Sequence, residues 1–382
     1  MVLQSTHWLA LSYFTYFFSF GIYLPFWSVW LKEEGLAPET IGILLGAGLV
    51  ARFLGSLLIA PRVKDPSRLI SALRLLALLS LVSAVGFCFG NGWAWLMLVL
   101  VGFNLLSSPL VPLTDALAAT WQRQIALDYG RVRLWGSLAF VVGSALTGKL
   151  VSVWGHNAIL FSLLISLLAV WLGMLLKPSV MPTGGLRAQH NSNRSWRELL
   201  SEGPVWRFLL CVTLLQGAHA GYYSFASIYW QEAGYSAASV GYLWSLGVVA
   251  EVILFACSNF LFRRWNAGSL LLLSAVCGLL RWGLMASTTE LSMLLLIQVL
   301  HCGTFTVCHL AAMRFIAARQ GAEVIRLQAV YSALAMGGGI AVMTVVAGFL
   351  FEHLQQDVFW VMAAIVVPVL FIAKTISVAG ER

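Results

Sequence analysis

Residues 26–52 read FWSVWLKEEGLAPETIGILLGAGLVAR, and residues 225–251 read FASIYWQEAGYSAASVGYLWSLGVVAE. The two stretches align without gaps at an offset of 199 residues. An internal repeat at a fixed offset indicates two structurally equivalent halves. The halves differ at one charged position, where the first half has the cation Arg52 and the second half has the anion Glu251. The identical pairs include Phe26/Phe225, Ser28/Ser227, Glu33/Glu232, Gly35/Gly234, Gly42/Gly241, Gly48/Gly247 and Ala51/Ala250.

The composition of the chain is that of a membrane protein. The 382 residues are 60% hydrophobic and only 10% charged, and the mean hydropathy is +0.87. Soluble proteins carry roughly 25% charged residues. So few charges cannot cover a water-facing surface, and we therefore expect a lipid bilayer around the chain. The six cysteines all lie inside apolar runs without the spacing of metal ligands, so neither a metal site nor an organic cofactor is predicted.

Twelve apolar segments are long enough to cross a bilayer, which takes about 20 residues. The polar stretch 178–205, rich in Pro, Gly, Ser and Asn, predicts a cytoplasmic linker between an N-terminal bundle (1–177) and a C-terminal bundle (206–382). The sequence therefore predicts an all-α membrane protein with twelve transmembrane helices in two pseudo-symmetric six-helix bundles. The approximate limits of the spans are 8–31, 39–60, 69–90, 93–122, 131–153, 157–177, 206–230, 238–261, 268–287, 290–313, 327–351 and 357–378.

The basic residues predict the orientation. Nineteen of the 23 Lys and Arg residues fall on one side of the predicted spans, in loops or at helix ends. This side is expected to be cytoplasmic, together with both termini. Only Lys32 and Lys149 fall toward the outside, whereas Arg52 and Arg281 fall within the membrane. Because the basic residues follow the loops and form no single face, nucleic acid is not expected as a partner.

Charged residues inside the spans are the main functional candidates, since a charge in the hydrocarbon core costs at least about 2.5–3.5 kcal/mol. The segment LTDALAATWQRQIALDYGRVRLWGS, residues 113–137, places Asp115 and Arg133 nine residues either side of a turn near Gln124. We expect these two residues to face each other and to bind substrate. The alternative is a structural ion pair that only orients the fourth and fifth spans.

A second group of candidates lies in the other half. Glu251, Arg281 and His301 fall on the eighth, ninth and tenth spans. Glu and His side chains can titrate near neutral pH under the influence of burial and a neighbouring cation, so the trio predicts proton coupling, with Arg52 as a further member. His301 could instead be an interior histidine that is simply hydrogen-bonded. His309 is assigned no role.

The seventh predicted span contains a histidine among aromatic residues. In LLQGAHAGYYSFASIYW, residues 214–230, His219 and Tyr222 lie about one turn apart. We expect both to line an aromatic substrate cavity. A role in packing is the alternative, because aromatic residues make up 13% of the chain.

The pattern P-x-x-D followed by Y-G-R-x-R-x-W-G resembles the major facilitator superfamily, in the branch of the proton-coupled lactose and nucleoside permeases. This resemblance implies that Asp115 and Arg133 bind substrate. Arg281 and His301 stand where lactose permease has the arginine and histidine of its proton site. Thr304 replaces the carboxylate that carries the proton there, so Glu251 is expected to carry it here. The pattern comprises Pro112, Asp115, Tyr129, Gly130, Arg131, Arg133, Trp135 and Gly136.

The segments GIYLPFWSVWL and YYSFASIYW resemble the phenylpropionate permease group. This implies a monomeric secondary transporter of the bacterial inner membrane that imports an aromatic carboxylate, such as 3-phenylpropionate, with a proton as its only coupling ion. A facilitator or a proton-antiporting exporter of the same fold is the alternative. A membrane-embedded enzyme or receptor is disfavoured, because the sequence contains no catalytic constellation and has two equivalent halves.

Overall fold

The computed structural model describes residues 2–63, 65–125, 127–183, 196–319 and 322–376, and their architecture is almost entirely helical. The strands β1 (Val2–Leu3) and β2 (Lys177–Pro178) form a short parallel pair. Residues 184–195 of the predicted linker and the end of the last predicted span, 377–378, lie outside the described residues.

The helices follow the apolar segments closely. The first half contains α1 (Ser5–Glu33), α2 (Pro38–Leu58), α3 (Leu69–Val85), α4 (Trp93–Ser107), α5 (Leu110–Gln124), α6 (Tyr129–Trp154) and α7 (Asn157–Leu175). The second half contains α8 (Trp196–Ser201), α9 (Gly203–Gly217), α10 (Ala220–Glu232), α11 (Ala237–Leu261), α12 (Ala267–Ser287), α13 (Leu291–Val299), α14 (Val307–Ala317), α15 (Ala322–Tyr331), α16 (Gly339–Leu354) and α17 (Val358–Ile372).

Ten helical stretches of the described residues are long and apolar enough to cross a membrane, two fewer than the twelve predicted spans. The seventh predicted span divides at Ala218 into α9 and α10, and neither piece is long enough alone. The last two predicted spans form one continuous stretch, Arg326–Thr375, that turns at Gln355, whose φ is 51°. The difference in number therefore reflects one helix break and one tight turn, since each predicted span is helical over most of its described residues.

Two glycines bring α1 and α6 into close contact. A Cβ atom on Gly21 would lie 2.6 Å from the carbonyl oxygen of Phe140, and one on Gly143 would lie 2.6 Å from that of Phe18. Small residues at a crossing let membrane helices approach backbone to backbone. The crossing therefore fixes α1 relative to the helix that carries Arg133.

Two π-helical segments interrupt the second half. Cys302–Thr306 joins α13 to α14, and Ser332–Gly338 joins α15 to α16. Such segments are rare and are found frequently at functional sites. The first follows His301 directly, and the second follows Tyr331.

The chain divides into two compact units, Met1–Arg187 with Gly234–Ser245 and Ala188–Ala233 with Leu246–Arg382. Aromatic contacts stabilise the core of each unit. In the first unit, Trp8 packs edge-to-face against Trp121 with 5.8 Å between the ring centroids. In the second, Phe208 stacks on Phe315 at 4.1 Å.

Candidate functional site

Asp115 on α5 is held by two tyrosines of the first unit. The hydroxyls of Tyr13 on α1 and Tyr129 on α6 both donate hydrogen bonds to Oδ1 of Asp115, with Tyr129 at 3.1 Å. Asp115 is half-buried among apolar helices, where such donors take the place of water. The network therefore joins three helices around one carboxyl group.

Arg133 on α6 does not pair with this carboxylate. Its Cζ atom lies 4.2 Å from the ring centroid of Phe17 and 5.3 Å from that of Tyr13. No salt bridge or hydrogen bond joins Arg133 to Asp115 in the part of the chain that the structure describes. The direct contact expected from the sequence is therefore not observed, because tyrosines satisfy Asp115 while the guanidinium lies on aromatic rings. A guanidinium held in this way keeps N–H groups available for an anion.

Four rings on one face of α1, here called the aromatic stripe, connect Arg133 to Arg52. Arg52 on α2 donates from Nη2 to the Tyr16 hydroxyl at 3.1 Å, and its Cζ atom lies 5.2 Å from the centroid of Phe20. Among the described residues Arg52 has no carboxylate partner. The stripe is thus flanked by two guanidiniums, and Arg52 lies with the substrate candidate Arg133 rather than with the predicted proton-coupling residues. The aromatic stripe consists of Tyr13, Tyr16, Phe17 and Phe20.

Arg281 on α12 is fully buried at the centre of a cluster in the second unit. It donates from Nε to the carbonyl of Ile297 at 2.9 Å, and from Nη1 to His301 Nδ1 at 2.8 Å and Thr304 Oγ1 at 3.1 Å. Its Cζ atom lies 4.3 Å from the ring centroid of Tyr222. A buried cation is tolerated only when its donors are satisfied in this way.

His301 connects this cation to Glu251 on α11. Its Nε2 atom lies 2.6 Å from Oε1 of Glu251. Because an arginine can only donate, Nδ1 of His301 must accept from Arg281, and the ring hydrogen must be on Nε2, facing the carboxylate. His301 is therefore a neutral imidazole between a carboxylate and a guanidinium. The structure brings together the three residues that the sequence placed on three successive spans.

His219, at the break between α9 and α10, belongs to the same cluster. Its Nδ1 atom lies 2.9 Å from the carbonyl of Leu215, and its Nε2 atom lies 3.0 Å from Thr304 Oγ1. A carbonyl only accepts, so the ring hydrogen is on Nδ1, and Nε2 is the unprotonated nitrogen of the ring. Tyr222 accepts a hydrogen bond from Gln298 Nε2 at 2.9 Å. The two side chains predicted to line a cavity, His219 and Tyr222, are each 1% exposed and are part of this network.

Several residues of the two clusters were not found from the sequence. The aromatic stripe has the three- and four-residue spacing of a helix face, which is a usable signal. This signal is hidden in a chain with 22 Phe, 16 Trp and 10 Tyr residues. Gln298 carries no charge and was not singled out. Among the described residues, no group of three or more His, Cys, Asp and Glu could hold a metal ion.

Comparison with known proteins identifies the family. The model of the family described as MFS_1 like family matches residues 6–362. The chain belongs to the MFS_1 like family. Over 373 residues it is 68% identical to the "Probable 3-phenylpropionic acid transporter" of Escherichia coli (strain K12), covering 97% of this chain and 98% of that relative. It is 26% identical to the maltose permease of Geobacillus stearothermophilus, covering 97% and 95% of the two chains.

Solved structures share the fold. A mutant of the nucleoside transporter NupG superposes with a TM-score of 0.85 at 15% identity, covering 98% of this chain and 100% of that chain. A bacterial homologue of the human lysosomal transporter Spinster gives 0.67 at 15% identity, covering 97% and 95%. These likenesses show the fold alone and confirm the predicted twelve-helix major facilitator architecture. The family and the 68% identical relative confirm the predicted resemblance, and show that this member of the MFS_1 like family is a multi-pass membrane transporter of a small molecule and not an enzyme.

Proposed function

We propose that this transporter imports a small aromatic carboxylate together with a proton, and that 3-phenylpropionate is its substrate. The relative that shares 68% of its residues over nearly the whole chain is named for that acid. The observation that carries the proposal is the position of Arg133, which lies on the aromatic stripe without a carboxylate partner among the described residues.

The two parts of this arrangement match the two parts of the proposed substrate. A guanidinium binds a carboxylate through two parallel N–H groups, which gives both affinity and a fixed orientation. Aromatic rings such as Phe17 and Phe20 prefer offset or edge-on contact with another ring. Arg133 and the aromatic stripe therefore suit an acid whose carboxylate and phenyl group are a few bonds apart.

Charge balance links the anion to the proton. The two clusters together contain three arginines (Arg52, Arg133 and Arg281) and two carboxylates (Asp115 and Glu251). With both carboxylates ionised and the neighbouring histidines neutral, one positive charge is left, and a monoanionic substrate removes it. Protonation of a carboxylate adds a positive charge. In a medium of low dielectric constant, binding of the anion and binding of the proton therefore favour each other, as symport requires.

Glu251 is the proposed proton carrier. When ionised, it accepts the Nε2 hydrogen of His301 and so compensates the charge of Arg281 through the imidazole. When protonated, it no longer compensates that charge. Its side chain is 17% exposed, against 7% for His301, so water reaches the carboxylate more readily than the ring.

The setting proposed for this activity is the bacterial inner membrane, with both termini in the cytoplasm, a monomeric protein and no cofactor besides the coupling proton. A facilitator or a proton-antiporting exporter with the same fold is the alternative. The charge balance favours symport, because it makes the anion and the proton bind together rather than in exchange.

Uptake of labelled 3-phenylpropionate by cells with and without the protein tests the substrate. We expect protein-dependent uptake that unlabelled 3-phenylpropionate inhibits and that its neutral amide, of nearly the same shape, does not. Equal inhibition by the amide would show that no cation of the protein recognises the carboxylate of the substrate. Absence of protein-dependent uptake would refute the proposed substrate.

A further inference from the structure

His309 on α14 is a titratable side chain that has no part in the mechanism so far. It is the third ring of a stack that begins with His301 and continues through Phe305. The successive ring centroids are 5.7 and 6.4 Å apart, and the interplanar angles are 20° and 6°. Residues four apart lie on one helix face. His309 is therefore about two turns from His301, toward the end of the helix that the basic residues predict to be cytoplasmic.

The helix α11 presents matching residues to this stack. Glu251 contacts Nε2 of His301 at 2.6 Å. Phe255, one turn further along α11, packs edge-on against His309 with 6.1 Å between the ring centroids. Glu251 thus contacts one imidazole, and Phe255, one turn further along the same helix, contacts the next.

Tyr331 on α15 fixes the orientation of His309. Nδ1 of His309 lies 3.2 Å from the tyrosine hydroxyl, which donates its own hydrogen to Sδ of Met336 at 3.7 Å. When the hydroxyl donates to Met336, its oxygen accepts the Nδ1 hydrogen of His309, and this tautomer has a lone pair on Nε2. This Nε2 atom has no hydrogen-bond partner within the described parts of the chain. The five-residue spacing of Tyr331 and Met336 is that of the π-helical turn in which Met336 lies.

We infer that His309 accepts the transported proton from Glu251 and passes it toward the cytoplasm. The inference rests on the proposed function of Glu251 as the carrier. In this step the O–H bond of the protonated Glu251 carboxyl breaks and an N–H bond forms at Nε2 of His309, giving a carboxylate and an imidazolium. The imidazolium then gives that proton to water on the cytoplasmic side, and the carboxylate again accepts from His301. Tyr331 is a positioning residue that keeps the Nε2 lone pair available.

The full-length protein in proteoliposomes allows the test. Exchange of labelled for unlabelled 3-phenylpropionate requires no net proton release, whereas uptake driven by an imposed pH gradient does. We expect His309→Gln to keep exchange within about twofold of the parent and to lower gradient-driven uptake and proton influx about 10-fold or more, as loss of a proton-transfer group does. Tyr331→Phe should lower the driven rate less and leave exchange unchanged. His353→Gln, at the exposed end of α16, is the matched control and should change neither rate.

Three outcomes overturn the relay. One is parent-like driven uptake in His309→Gln. The second is an equal loss of exchange and driven uptake in His309→Gln, which would show a packing role. The third, which stays informative should His309→Gln fail to fold, is a parent-like driven rate in Tyr331→Phe. Failure of the proposed function is seen separately, because Glu251→Gln would then accumulate substrate as the parent does.

Discussion

Arg131 and Arg133 lie two residues apart on α6 in opposite surroundings. Arg131 forms an exposed salt bridge with Asp128 at 3.1 Å, whereas Arg133 lies on Phe17. If Arg133 holds the substrate carboxylate, Arg133→Gln should raise the KM for 3-phenylpropionate about 10- to 100-fold, because hydrogen bonds to charged groups contribute about 1.5–3 kcal/mol. Arg131→Gln removes the same charge from the same helix and should leave KM within about twofold. Concentration series of initial uptake, normalised to the amount of protein in the membrane, measure both values, and equal effects would contradict the assignment.

Glu251→Gln separates binding from coupling. The amide imitates the protonated carboxyl permanently, so we expect this variant to exchange substrate across the membrane but not to accumulate it against a gradient. Glu290→Gln, at the exposed start of α13, should accumulate it as the parent does. Accumulation of substrate by Glu251→Gln would make His301 or Asp115 the next candidate for the proton carrier. Loss of binding would make Glu251 a substrate or folding residue.

The sequence identifies the charged residues of the two clusters better than it identifies their hydrogen-bond partners. Asp115 and Glu251 stand out because a charge in an apolar run is costly and rare. Their hydrogen-bond partners lie on other spans, and which side chains meet depends on the rotation of each helix, which hydropathy does not specify. For this reason Arg133 was expected on Asp115, whereas Tyr13 and Tyr129 occupy that carboxylate.

The crossing of α1 and α6 determines how the aromatic stripe meets Arg133. A Cβ atom at Gly143 would overlap the backbone of Phe18, so Gly143→Ala should destabilise the protein by about 1–3 kcal/mol and reduce uptake. Gly102→Ala on α4 is the control, because the nearest atom there is the hydroxyl of Ser83 at 3.6 Å. That variant should melt at or slightly above the parent temperature, since Ala favours helix over Gly. Thermal unfolding in detergent compares the two, and a lower melting temperature for Gly102→Ala alone would refute the packing argument.

The limits of the helices could be predicted, but their internal breaks could not. The length of an apolar segment gives the limits of a span to within a few residues, because the prediction rests on the hydropathy summed over about 20 residues. A break of two residues at Ala218–His219 or a single π turn after His301 changes this sum very little. These breaks place His219 and Thr304 beside Arg281, so the second cluster could be predicted as a set of residues but not as a network.

Across the whole molecule, the internal repeat predicts two like halves, and the structure shows that they differ in chemistry. The repeat pairs Arg52 with Glu251. Arg52 lies on the aromatic stripe of the first unit, and Glu251 lies beside His301 in the second. Under the proposed function, equivalent positions would provide a cation for anion binding in one half and a carboxylate for proton transfer in the other. The sequence alone implied the substrate only through family resemblance, because no residue pattern specifies a phenyl group.

In the proposed mechanism, an aromatic anion and a proton cross the membrane together. The direct measurement adds 3-phenylpropionate to proteoliposomes that hold a pH gradient, alkaline inside, and follows internal label and internal pH at once. We expect the substrate to accumulate above its external concentration, with proton influx that begins on addition of substrate, and a protonophore should abolish the accumulation. Uptake that stops at equal concentrations without proton movement would identify a facilitator, and proton efflux during uptake would identify an antiporter. Either result would contradict proton-coupled import.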